Sequence, residues 1–327
     1  MSFAAAGNWS GFGVGSSGVQ WAAGGEDTYI TGLVIPALSR LVTNPYGGSP
    51  IYSPSTVISG GSAAVNGLTY TQVIQKAVDS FTYYQSGPAT GNRYGGWRYF
   101  AGNNDSDMST TQWPVISYLF AGQVPGVTPP PAITNTALQS WLAAVQNPVT
   151  GGVDYQPGAG IINATHAGGF LLSNYFAGGG GDAAKALAWL NSNWIVGPGG
   201  DWYGNEGQPY AMWAVYKALE TLYGTTGAGP ITNLHPQGSN LLDSGATWNW
   251  WEDYCQYLVD SQNTNGSWNG YDYWTGALAE GWYINILNAT QTGPGPGPGT
   301  VPEPSTMLLL GSGLIGLLGY ARKRRRQ

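Results

Sequence analysis

Between residues 26 and 288 the chain alternates two kinds of helical segment, and this alternation restricts its fold more than any other feature. From Tyr70 to Gln85, the residues Tyr70, Val73, Ile74, Ala77, Val78 and Phe81 recur at steps of three and four, which draws one apolar stripe along an amphipathic helix. Leu138, Trp141, Leu142 and Val145 repeat the spacing, then Leu187, Leu190 and Trp194, then Trp250, Tyr254, Tyr257 and Leu258. Each of these four helices has one face to bury. The segments near 27–41, 107–121, 164–176, 208–223 and 273–288 differ: stretches such as THAGGFLLSNYF and YAMWAVYKALETLY carry small and apolar residues on every side. A helix apolar all round is surrounded by protein. The expectation is an all-α body, residues 1–290, of nine helices in two layers, one-sided helices outside and enclosed helices inside.

The joints recur as well, which points to an internal repeat. The one-sided helices end at Gln85, Gln146, Asn193 and Gln262, and the chain continues from them as QSGPATGNRYGGWRY, QNPVTGGVDY, NWIVGPGGDWYG and QNTNGSWNGYDYW. Glycine permits a tight reversal after the helix, the side-chain amide can cap backbone groups, and the aromatic covers the joint. The last joint sets Gln262, Gly266 and Trp268 in the spacing Q-x3-G-x-W. This element and its degenerate copies resemble the repeats of the prenyltransferase and squalene cyclase superfamily, over roughly residues 20 to 290. The resemblance implies an alpha/alpha toroid of helical hairpins, about five repeats with the first incomplete, whose inner ring lines a central cavity.

A different composition begins after Asn288. Residues 291–301 read QTGPGPGPGTV, and alternating Gly and Pro exclude both helix and sheet pairing, so this is a linker. Val301, Pro302, Glu303 and Pro304 follow, then the uncharged run 306–321 (TMLLLGSGLIGLLGYA) and RKRRR. As a helix, 16 residues span ~24 Å, short of a hydrocarbon core of ~30 Å. Cations directly after the run hold that end in the cytoplasm and leave the body outside. The order of parts in 302–327 resembles the PEP-CTERM sorting signal of Gram-negative bacteria. In that family an exosortase, a membrane protease-transpeptidase, recognises the signal and cuts near the Pro-Glu-Pro motif, and the signal accompanies exopolysaccharide production. The resemblance implies a protein anchored in the inner membrane by helix 306–321 before processing, and then released to the cell surface or extracellular matrix. Export calls for an N-terminal leader, yet residues 1–25 contain no Lys or Arg and no long apolar run. The expectation is a true start upstream, which also supplies the missing outer helix of the first repeat.

Charge narrows the partners. Before Pro302 there are 16 acidic and 6 basic residues, a net of −10, so nucleic acid and anionic surfaces repel the body. One cysteine, Cys255, excludes an internal disulfide, and with His166 and His235 the only histidines, no Cys/His zinc cluster can form. No cofactor or metal is expected.

For chemistry, terpene cyclases of the resembled superfamily protonate an alkene with an Asp of a D-x-D-D cluster. This chain offers Asp105-Ser106-Asp107-Met108, an incomplete copy in which Asp107 reads as a helix N-cap. Protein prenyltransferases bind zinc through an Asp and a Cys two apart and a downstream His. Asp253-Tyr254-Cys255 has the first two, no His follows, and positions two apart on a helix point about 200° from each other. Sugar-active toroids need a carboxylate pair or a Tyr/His/Arg set in a groove. His166, at a helix start, and Asp107 are the single groups that stand nearest to a catalytic set. Glu26, Asp27, Asp154, Asp201, Glu206 and Asp272 lie near helix starts, where the dipole favours them without catalysis. Aromatics at the joints, with Trp97, Tyr99, Tyr155, Trp202 and Trp274 foremost, suit a platform that stacks on sugar rings. Three readings stand, in this order: a surface protein that binds or organises polysaccharide, a polysaccharide lyase or hydrolase, and a terpenoid cyclase-like enzyme.

Overall fold

The computed structural model describes residues 2–3, 18–21, 26–43, 49–60, 62–100, 105–236 and 249–288. These residues are mostly helical, consistent with an all-α body: α1 (Asp27–Val42), α2 (Tyr70–Tyr84), α3 (Met108–Ala121), α4 (Ala132–Val145), α5 (Ala164–Ala177), α6 (Ala183–Ser192), α7 (Pro209–Tyr223), α8 (Trp250–Ser261) and α9 (Ala277–Leu287). Strands β1 (Ser2–Phe3) and β2 (Val19–Gln20) pair antiparallel. The linker 291–301, the sorting motif at Val301–Pro304, the run 306–321 and the basic tail lie outside the described residues, as do most of residues 1–25.

The chain divides into two compact units. The first holds Met1–Gln146, Asp154–Gly160 and Leu172–Asp182, and the second Asn147–Val153, Ile161–Leu171 and Ala183–Gln327. In the first unit α1 packs on α2 and α3, and α2 on α3. The α1–α3 approach is close because Gly32 has no side chain: a Cβ there would lie 2.5 Å from Trp113 Cβ. A Thr69/Gln72 capping box starts α2, and Phe81, Tyr84, Trp97 and Tyr118 fill the core beside it. In the second unit α9 packs on α7 and α8. Gly168 in α5 lets that helix touch α7, since a Cβ would come within 2.6 Å of the Ala214 carbonyl carbon. An Asn249/Glu252 capping box starts α8.

Burial follows the patterning for α3, α4, α5, α7 and α8 and departs from it in α1, α9 and the end of α2, where Ser80–Tyr84 are all buried. In α3 every residue except Ser109 and Leu119 is buried, Ala164–Ser173 of α5 are all buried, and α7 is buried from Pro209 to Glu220 save Trp213. Helices α1 and α9, expected to be enclosed, instead bury single stripes: Thr28, Thr31, Gly32, Ile35, Ser39 and Val42 in one, Ala279, Trp282, Tyr283 and Ile286 in the other. An apolar composition states which residues tolerate burial. Which of them are covered depends on how many neighbours the helix has.

The joints share their wiring. The Trp97 indole N–H donates to the Phe81 carbonyl at 2.7 Å, and that of Trp268 to the Leu258 carbonyl at 2.7 Å. Phe81 and Leu258 stand four residues before Gln85 and Gln262, whose amides donate in turn to Gly95 O at 2.7 Å and Gly266 O at 2.9 Å. The amide also ties one joint to the next one-sided helix. Gln85 donates to Thr134 O at the start of α4 (3.1 Å), while Gln146 donates to Asp182 O (2.8 Å) and accepts from Asp182 N (2.7 Å) just before α6. Gly95 and Gly151, at φ 98° and 77°, turn their Cα positions onto the same two helices, where a Cβ would overlap the carbonyl oxygens of Ala137 and Lys185.

Candidate functional site

In the first unit the residues singled out for chemistry form a closed polar knot. Asp107 is fully buried and caps α3. Its Oδ1 accepts from Thr110 N (2.7 Å) and Ser109 Oγ (2.6 Å), and its Oδ2 from Thr110 Oγ1 (2.8 Å) and Arg98 Nη1 (3.0 Å). Burial pushes this carboxyl above the ordinary aspartate range, against the pull of Ser109, Arg98 and Thr110. Arg98 also donates to the Tyr155 hydroxyl at 2.8 Å, its guanidinium lies 4.6 Å from the Tyr99 ring centroid and 5.3 Å from that of Tyr155, and the two phenols share a hydrogen bond of 2.6 Å. Burial, then the Asp107 charge, drives the Tyr155 hydroxyl far above the usual phenol range. The neighbouring acid, Asp105, takes Arg93 at 3.2 Å and Gln156 at 3.1 Å. Both carboxylates of the Asp-Ser-Asp segment are therefore engaged by arginine, an arrangement that orders a helix start.

His166 and Trp97 are likewise built into the frame. His166 is 2% exposed, its Nδ1 lies 3.0 Å from the Ile161 carbonyl, and its backbone N–H donates to Asn163 Oδ1 at the start of α5. Trp97, 0% exposed with its indole N–H on Phe81 O, presents no face to a ligand.

In the second unit two loops carry an open aromatic group. Trp202 is 38% exposed and Tyr273 76%. Trp274 lies between them, with ring centroids 6.1 Å from Trp202, 6.4 Å from Tyr273 and 5.2 Å from Tyr210, which stacks on Trp282 at 5.5 Å. The loops are latched twice. Trp202 Nε1 donates to Asp272 Oδ2 at 2.6 Å, and the Tyr271 hydroxyl to the Gly199 carbonyl at 2.5 Å. A tight turn with mutual backbone hydrogen bonds between Tyr271 and Trp274, each 3.0 Å, holds Asp272 at its corner.

The same unit holds a cluster that sequence spacing did not disclose. His235 Nδ1 lies 3.3 Å from Glu206 Oε1 and 3.3 Å from each carboxylate oxygen of Asp253. Glu206 and Asp253 are 2% and 1% exposed. Asp253 Oδ2 accepts from the Trp194 indole at 2.7 Å, and Oδ1 from the His235 backbone N–H at 3.1 Å. Burial, then the charge of Asp253, raises Glu206 to about 8. A carboxyl that keeps its proton at neutral pH, beside a carboxylate and an imidazole, is a set able to hold a cation or exchange a proton. Cys255 stays apart: it is buried, and burial, with the Glu252 charge, pushes its thiol up to about 12. In the sequence Asp253 stood out for its spacing to Cys255 and Glu206 only as an acid near a helix start, while the neighbours that meet Asp253 come from loops 47 and 18 positions upstream.

Residues 300–326 match the PEP-CTERM protein-sorting motif. The match covers Val301–Pro304, the run 306–321 and the cations that follow, and it marks the chain as an exported protein sorted through that signal. It does not extend to the helical body, whose resemblance to prenyltransferase and squalene cyclase repeats has no family match behind it. No curated protein and no solved structure matches the chain. No helix among the described residues is long and apolar enough to cross a membrane.

Proposed function

We propose that this protein is held in the inner membrane by segment 306–321, cut near Val301–Pro304 by an exosortase-type protease, and released to the surface or matrix of a Gram-negative cell. There it binds or organises extracellular polysaccharide. The sorting match at 300–326 carries the reading. The exposed Trp202 and Tyr273, with the partly buried Trp274 packed between them, support the choice of ligand, because indole and phenol faces stack on the C–H faces of sugar rings while Asp272 offers a polar rim. The acidic body favours neutral glycans over anionic ones. The helical hairpins belong, in this account, to an alpha/alpha toroid, supported by the bonds of Gln85 and Gln146 to the start of the next one-sided helix and of Gln85 and Gln262 to their own joint glycines.

A second reading, a polysaccharide lyase or hydrolase, draws on the Glu206–Asp253 pair, in which one carboxyl is protonated near neutral pH. Incubating the full chain with candidate polysaccharides separates the two: retention with unchanged chain length supports binding, and shortened products support the enzyme. Replacing Pro302, Glu303 and Pro304 with Ala tests the sorting step. The account expects the unprocessed protein to accumulate at the inner membrane, and unchanged delivery to the surface would refute it.

A further inference from the structure

We infer that Glu206, His235 and Asp253 form a binding site for a divalent transition-metal ion of the zinc class. Three donors from separate parts of the second unit converge so that one ligand atom of each lies within 4.8 Å of the others. The imidazole's separations from both carboxylates suit a coordination sphere: with metal–ligand bonds of ~2.0–2.1 Å, the donors of a tetrahedral zinc lie ~3.4 Å apart. His235 Nδ1 is 3.3 Å from Glu206 Oε1 and 3.3 Å from each oxygen of Asp253.

A second observation points the same way. Glu206 Oε1, on a side chain all but removed from solvent, has no hydrogen-bond partner among the described residues and is aimed at His235. A buried, unpartnered carboxylate oxygen is costly unless a proton or a cation serves it. Two carboxylates and a neutral imidazole around a dication make an electrically neutral set, which removes the penalty of burying both acids. The carboxylate of Asp253 is already oriented by the Trp194 indole N–H, the kind of outer contact that fixes a ligand before the metal arrives. His235, with its side chain 41% exposed, gives the ion a route from solvent. The imidazole selects against calcium and magnesium, which prefer all-oxygen sites. Three protein ligands leave the fourth position of a tetrahedral ion open. Cys255 takes no part, and the inference stands independently of the glycan reading.

The test is a titration of the full chain, stripped with EDTA and kept in mild detergent, with Zn²⁺ alone and with Ca²⁺ alone against a chromophoric chelator. The expected result is one equivalent of Zn²⁺ held in competition with the chelator and no Ca²⁺ uptake. His235→Gln changes a half-exposed side chain, so the fold survives it, and it weakens zinc binding by about 100-fold or more. Trp194→Phe weakens it by roughly 10- to 100-fold, and Cys255→Ser leaves it unchanged. A parent chain that takes up no zinc, calcium bound in zinc's place, or a His235→Gln chain that binds like the parent would each overturn the site.

Discussion

The indole N–H of Trp202 donates to the carboxylate of Asp272 at 2.6 Å, and these are the two non-glycine residues with left-handed backbone among those described, at φ 55° and 51°. A left-handed conformation is disfavoured for a side-chain-bearing residue by roughly 1–2 kcal/mol. Two such residues, seventy positions apart and joined by a hydrogen bond, hold the loops that carry the exposed aromatics. Asp272→Ala removes the acceptor and keeps the backbone conflict, so it is expected to loosen both loops and lower stability by about 1 kcal/mol. Asp272→Asn retains an acceptor and tolerates the left-handed region, so it behaves like the parent. Denaturant unfolding, together with hydrogen exchange at 199–203 and 271–274, reports the difference.

Trp97 and Trp202 follow glycines in equivalent joints and serve different ends. Trp97→Phe leaves the buried Phe81 carbonyl without its partner, at an expected cost of about 1–3 kcal/mol. Glycan retention by the folded variant is unchanged, since the ring faces no ligand. Loss of retention without loss of stability would contradict this division of roles.

Glycine is required for different reasons at Gly95 and Gly266. Both have positive φ, 98° and 84°; a Cβ at Gly95 would overlap the Ala137 carbonyl, whereas at Gly266 nothing lies within 4 Å. Gly266→Ala should therefore lose only the backbone preference, ~1–2 kcal/mol. Gly95→Ala loses that and also forces α4 away from the joint. Equal losses in chemical denaturation would count against the helix-to-joint contact.

Lys217 is fully buried in α7, and burial lowers its ammonium to about 7 from an ordinary 10.5. Between those values the unfolded chain binds a proton that the folded chain refuses, so this residue makes stability rise with pH across the window and leaves it flat below about 7. The slope approaches about 1.4 kcal/mol per pH unit. Lys217→Met removes it: the variant's advantage is expected to be largest near pH 7 and to shrink toward pH 10. An advantage independent of pH would show that the folded lysine keeps its charge.

The periodicity of α2, α4, α6 and α8 was enough to place these helices, because a 3.6-residue repeat is a local property of the chain; it named the buried stripe of α4 in full, while Tyr70, Leu187 and Tyr257 of the other three are only partly buried. Enclosure of α3, α5 and α7 was also legible, whereas for α1 and α9 a similar composition accompanies burial of one stripe only. Joint aromatics were recognisable as a class. Whether an indole turns inward, as in Trp97, or outward, as in Trp202, depends on which acceptor its N–H reaches after a turn of particular length, the Phe81 carbonyl in one and the Asp272 carboxylate in the other. The grouping of Glu206, His235 and Asp253 was illegible for a stronger reason: it joins two loops to a helix face with no repeat or motif spacing between them. The sorting tail was the most readable part, since its signal lies in the order of contiguous residues.

Glycan binding through the second unit's aromatics is checked by a glycan array probed with the full chain and with Trp202→Ala/Trp274→Ala. The expected result is selective retention of neutral polysaccharide by the parent and its loss in the double variant, with helical content preserved. Retention that survives the double substitution, or no retention by the parent on any glycan, would contradict it.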